Sequence, residues 1–124
     1  MKLLERDGQS DPFRAALDNC RNKAVCEFFA GEWASRGRRT RFAVRFDLVP
    51  AHGWYVSPRD EWAYVVQKGR FSGDEALWRS SISDPGSIHT KRGGIDLSFN
   101  LHSADDFAVF QEVLEAQARE RRRG

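Results

Sequence analysis

The segment Ile95-Asp96-Leu97-Ser98-Phe99-Asn100-Leu101-His102 alternates apolar and polar side chains without a break. A period of two marks a strand with one buried face and one wet face. It restricts the chain to folds containing a half-covered sheet. Ile95, Leu97, Phe99 and Leu101 are predicted to point inward, and Asp96, Ser98, Asn100 and His102 outward. Residues 41–49 alternate in the same way, with Phe42, Val44, Phe46 and Leu48 on one side and Arg41, Ala43, Arg45 and Asp47 on the other. Pro50-Ala51-His52-Gly53 reads as a turn, and Trp54-Tyr55-Val56 as a second strand, so residues 41–57 are predicted to form a hairpin. Ser57-Pro58-Arg59-Asp60 reads as the next turn. Trp62 to Gln67 reads as a third strand, ended by Lys68-Gly69, which completes an antiparallel meander.

Helical spacing surrounds these strands. Asp11-Pro12 is a helix start, with Asp as N-cap and Pro at the first helical position. Phe13, Leu17, Cys20, Ala24 and Phe28 then recur every three or four residues, with Val25, Phe29 and Trp33 as an adjoining stripe. This predicts one N-terminal helix, broken or kinked at Gly31 and stopped at Gly37. Ser72 to Glu75 can cap a short helix with Ala76, Leu77 and Trp78 as its contacts. Residues 80–94 read as a long irregular loop. Ser103 and Asp106 resemble a capping box, with Ser103 as N-cap and Asp106 at the third helical position. Phe107, Phe110, Val113 and Leu114 follow as a buried stripe. The expected fold class is α+β, in the order α-β-β-β-α-β-α. An antiparallel sheet of about four strands, a three-strand meander plus one, is packed by an N-terminal and a C-terminal helix. Residues 1–10 are expected to be a flexible N-terminus, 11–120 a single domain and 121–124 a basic C-terminal tail.

Composition narrows the classes. With 124 residues, 40% of them hydrophobic, the chain can build a core, which argues against disorder. No apolar run is long enough to span a bilayer. The charged start Met1-Lys2-Leu3-Leu4-Glu5-Arg6-Asp7 lacks the apolar region of a signal peptide, so a cytoplasmic location is expected. Cys20 and Cys26 fall on different faces of the single predicted helix, and His52, His89 and His102 are scattered. The thiols are therefore expected to act as small hydrophobes, with no metal site and no cofactor.

The charge is unevenly spread. Residues 38–70 hold seven basic and three acidic side chains, net +4, against +2 for the whole chain. Sixteen of the twenty cations are arginine, whose planar fork grips phosphates and stacks on rings. Arg36, Arg38, Arg39, Arg41 and Arg45 lie on or beside the first strand of the meander, with Trp54 or Tyr55 on its partner. Arg59, Lys91 and Arg92 can extend the track. Arginines interleaved with aromatics suit a nucleic-acid surface, where phosphates take the cations and bases stack on the rings. The same pattern describes a solvated, charged sheet face with its rings in the core.

Catalytic motifs are scarce. Gly-x-Ser-x-Gly and glycine-rich phosphate loops are absent. The polar row Asp96, Ser98, Asn100 and His102 reads as a solvated face or a site lining. Asp47, Asp60 and Glu61 with Lys68 are the only set suggesting a Mg-dependent nuclease, and they lack the acidic-x-Lys ending of such a strand. The expectation is a non-catalytic domain contacting nucleic acid, single-stranded or structured, or a protein of a nucleic-acid-processing complex. The alternative is a protein-interaction module, a subunit, adaptor or inhibitor, without nucleic-acid contact, and the second alternative is a Mg-dependent nuclease. Neither a membrane nor a small-molecule cofactor is expected as partner.

Overall fold

A computed structural model describes residues 11–49, 52–70, 74–91 and 95–123. In chain order these form α1 (Pro12–Asn19), α2 (Lys23–Ala30), α3 (Glu32–Ser35), β1 (Arg38–Arg39), β2 (Val44–Val49), β3 (His52–Pro58) and β4 (Ala63–Arg70). Then come α4 (Asp74–Ser81), a 3-10 turn (Pro85–Ser87), β5 (His89–Lys91), β6 (Ile95–Leu101) and α5 (Ala104–Arg123). The class is α+β. The strands make one antiparallel sheet in the order β1-β2-β3-β4-β6-β5. Among the described residues no helix is long and apolar enough to cross a membrane.

The meander forms as expected, and β6 adds to its β4 edge. The expected four strands become six because two short edge strands were not anticipated. β1 is the basic run after Gly37, and β5 lies inside the stretch expected to be an irregular loop. Neither is long enough to show a period of two.

The predicted N-terminal helix is three helices. Its apolar spacing runs on across the breaks, so the breaks are invisible to periodicity. Asn22 makes the first one. Its side-chain oxygen accepts the N–H groups of Ala24 and Val25 at 2.9 and 3.3 Å, starting α2. Its Nδ2 donates to the carbonyls of Glu61 and His102 at 2.9 and 2.7 Å, fastening the break to the end of the sheet. Cys20 and Cys26 consequently do not sit on one helix; the Cys26 thiol reaches the Cys20 carbonyl at 3.8 Å. Burial pushes the Cys20 thiol above its ordinary value. Gly31 makes the second break.

Gly37 admits the chain into β1. A Cβ there would run into the Val44 side chain and stand 2.9 Å from the Arg45 carbonyl oxygen. Gly37→Ala is therefore expected to lower stability by about 1–3 kcal/mol, read as a drop in the urea midpoint at unchanged slope.

One face of the sheet supplies the core. Val44, Phe46, Trp54, Val56, Ala63, Val65, Leu97, Phe99 and Leu101 are buried together with residues from every helix, among them Phe13, Phe28, Ala34, Trp78, Phe107, Phe110 and Leu114. Rings interlock across the layer: Trp54 meets Trp78 at 5.9 Å and Phe110 at 5.5 Å, edge to face. Gln67 is the polar exception on this side, paired in register with Trp54 and Leu97. Phe42 departs from the predicted alternation. Thr40 and Ala43 close a turn, with the Thr40 N–H donating to the Ala43 carbonyl at 2.8 Å, so the strand begins at Val44 and Phe42 is 59% exposed.

The capping box forms as read from the sequence and does more than cap. The Asp106 N–H donates to Ser103 Oγ at 3.1 Å, and Asp106 Oδ2 accepts the Ser103 N–H at 3.2 Å. The same carboxylate accepts the Ser83 N–H at 2.8 Å, the Ser83 hydroxyl at 2.7 Å and the His102 N–H at 2.9 Å. It thus joins the chain after α4 to the start of α5. Burial pushes the Asp106 carboxyl up, but the bonds from Ser83, His102 and Ser103 outweigh it and hold it below the ordinary aspartate value. α5 continues through Arg123, so the backbone of residues 121–123 is helical.

Candidate functional site

The sheet face turned away from the core carries the functional candidates. Residues in register share a face, so the pairings define its rows. One row runs Arg38, Arg45, Tyr55, Val66, Ser98 and His89 across all six strands. The next runs Ser57, Tyr64 and Asn100 across β3, β4 and β6. Arg45, Tyr55, Ser57, Tyr64, Val66, Ser98 and Asn100 are each half-buried, as on a sheet face without a second layer over it.

Two arginine–tyrosine stacks stand on this face. The Arg45 guanidinium carbon lies 5.3 Å from the Tyr55 ring centre, and that of Arg59 lies 5.0 Å from the Tyr64 ring centre. Gly53 lies beside the first: a Cβ there would be in ordinary contact with Tyr55 Cε1 at 3.5 Å and Arg45 Nε at 3.6 Å. Arg38 faces Arg45 directly in register. This places two guanidinium groups on facing strands at one edge of the sheet. The turn closed by the Arg59 N–H donating to the Trp62 carbonyl at 2.8 Å places Arg59 beside β4.

The remaining residues singled out from the sequence fall elsewhere. Trp54 is fully buried against Trp78 and Phe110, so Tyr55 alone of that pair faces outward. Arg41 does not share a strand face with Arg45. It precedes β2 in the bend, 5.3 Å from the exposed Phe42 ring. Arg39 is held by Asp11 at 2.8 Å and lies 4.0 Å over Phe13. Arg36 is held by Glu32 at 3.1 Å and lies 4.6 Å over Trp33. Arg39 thus ties the start of α1 to β1, while the contacts of Arg36 stay within α3 and its C-cap. Lys91 ends β5 at the opposite edge, and Arg92 lies outside the described residues.

At one end of the outer face, His102 Nε2 is 3.0 Å from Asp84 Oδ2, and its ring is 6.2 Å from that of Trp62. Asn100 is tied through its backbone, its N–H donating to Ser87 Oγ at 2.9 Å. Tyr64 and Trp62 were not singled out from the sequence as surface residues. The signal was present, since both alternate with the buried Ala63 and Val65. Among the described residues, no three His, Cys, Asp or Glu side chains gather where one metal ion could sit. Asp60 and Glu61 are exposed in the β3–β4 turn. Comparison with known protein families, curated proteins and solved structures finds no match to this chain.

Proposed function

We propose that this chain is a non-catalytic binding domain that contacts nucleic acid, or a protein assembly handling nucleic acid, through the outer face of its sheet. The observation carrying this reading is the pair of stacks Arg45–Tyr55 and Arg59–Tyr64 on adjacent strands of one face. Guanidinium groups beside rings supply both halves of nucleic-acid contact, charge for phosphates and a π surface for bases. Arg38, level with Arg45, adds charge at the edge.

The test is binding to a mixed set of labelled single- and double-stranded DNA and RNA at 50 and 200 mM salt. Two or more phosphate contacts predict an affinity about tenfold weaker at the higher salt. Arg45→Glu is expected to weaken binding at both. Absence of binding to every probe at low salt overturns direct nucleic-acid contact and leaves a protein partner.

A protein partner is the second reading. It is favoured by the mixed charge around the stacks: Asp60 and Glu61 are exposed in the turn that carries Arg59, and the apolar Phe42 ring is exposed beside Arg41. Retention of a partner by the wild-type protein, and its loss in Arg59→Glu, supports that reading.

A further inference from the structure

Three aromatic side chains of the outer face stand on neighbouring positions of β3 and β4 or just before β4. Trp62 and Tyr64 lie two residues apart on one line of chain, about 7 Å at roughly 3.4 Å per residue. Tyr55 pairs with Val66 and Ser57 with Tyr64, which makes Tyr55 and Tyr64 diagonal neighbours, about 7–8 Å apart. Trp62 stands beside His102 at the end of the same face. The backbone positions that carry the three rings, two on β4 with its lead-in and one on β3, are therefore set in steps of about 7 Å. That is about twice the roughly 3.4 Å spacing of nucleotides along one strand of a duplex. Bases stacked within a duplex cannot occupy successive rings at this spacing, and their faces are covered by their own neighbours. An unstacked strand presents its base faces freely. Arg45 and Arg59 stand over two of the three rings, where phosphates pass or where a guanidinium plane extends the stack.

We infer that the outer face takes single-stranded nucleic acid in an extended form, one base to each of Tyr55, Tyr64 and Trp62, with phosphates along Arg45 and Arg59. This rests on the nucleic-acid reading above and narrows it to strands without pairing. Ring stacking is indifferent to base identity, so the preference is for strandedness rather than sequence.

The experiment is fluorescence anisotropy with the full chain and three probes: a twelve-nucleotide oligothymidine, a twelve-nucleotide oligouridine and a twelve-base-pair DNA duplex. At least one single-stranded probe is expected to bind about tenfold or more tighter than the duplex. Tyr64→Ala and Tyr55→Ala are each expected to weaken that binding roughly 5- to 150-fold, the range for loss of one stacked base. Tyr64→Phe and Tyr55→Phe keep a ring and are expected to bind as wild type. Photocrosslinking of the wild-type protein to the single strand is expected to label peptides carrying Tyr55, Tyr64 or Trp62, a readout needing no variant. Duplex binding as tight as single-strand binding, or crosslinks elsewhere, overturns the inference while the broader reading stands. Absence of binding to all three probes at low salt removes both.

Discussion

Asp106→Ala is expected to destabilise the fold by about 3–5 kcal/mol. The side chain is 2% exposed and is the acceptor for four donors, the N–H groups of Ser83, His102 and Ser103 and the Ser83 hydroxyl. Each donor left unpaired in a buried site costs about 1–3 kcal/mol, and those near the surface recover part of that from water. Asp106→Asn keeps the shape but turns an amide N–H₂ toward groups that already donate, so it is expected to recover only part of the loss. A pH dependence follows. The folded carboxyl titrates below its unfolded value, so its contribution is fully present above the unfolded value, about pH 4. It is lost as pH falls through the lower folded value. Urea midpoints of wild type and Asp106→Asn are therefore expected to differ most at pH 7 and to converge toward pH 3. Parallel curves at all three of pH 7, 5 and 3 would show that the carboxylate charge plays no part.

Trp54→Ala is expected to cost about 3–5 kcal/mol, the range for removing a large buried ring. The melting temperature should fall by on the order of 10–20 °C in a domain of this size. The indole is fully buried and meets Trp78, Phe99 and Phe110 edge to face, so its loss opens the centre of the layer between sheet and helices. Tyr55→Ala, one residue on, points the other way and is expected to cost only about 1 kcal/mol, because no helix loses its seat. The contrast in melting temperature between neighbours checks the facing of β3 directly. Similar losses for the two variants would contradict it.

Much of the fold was legible because burial imposes a period. β6 and the meander follow from alternation, and α5 follows from its cap and stripe. Most of the failures come from interactions distant in sequence. The break at Asn22 is stabilised by carbonyls of Glu61 and His102, residues that no local window contains. β1 and β5 exist because neighbours offer them hydrogen bonds. Phe42 fails the alternation because a Thr40–Ala43 turn precedes the strand. At the candidate site, Arg45 and Tyr55 were readable from their place on facing strands. The partnership of Arg59 with Tyr64 was not, since it depends on how the β3–β4 turn bends back. Arg36 and Arg39 looked like part of the same basic surface, and only their carboxylate neighbours, Glu32 and Asp11, remove them from it.

The borders of the sheet carry a consequence of their own. β1 has two residues and β5 three, so each rim offers few backbone groups for a stray strand to grip. Lateral growth into ribbons has little to start from at these short outer strands.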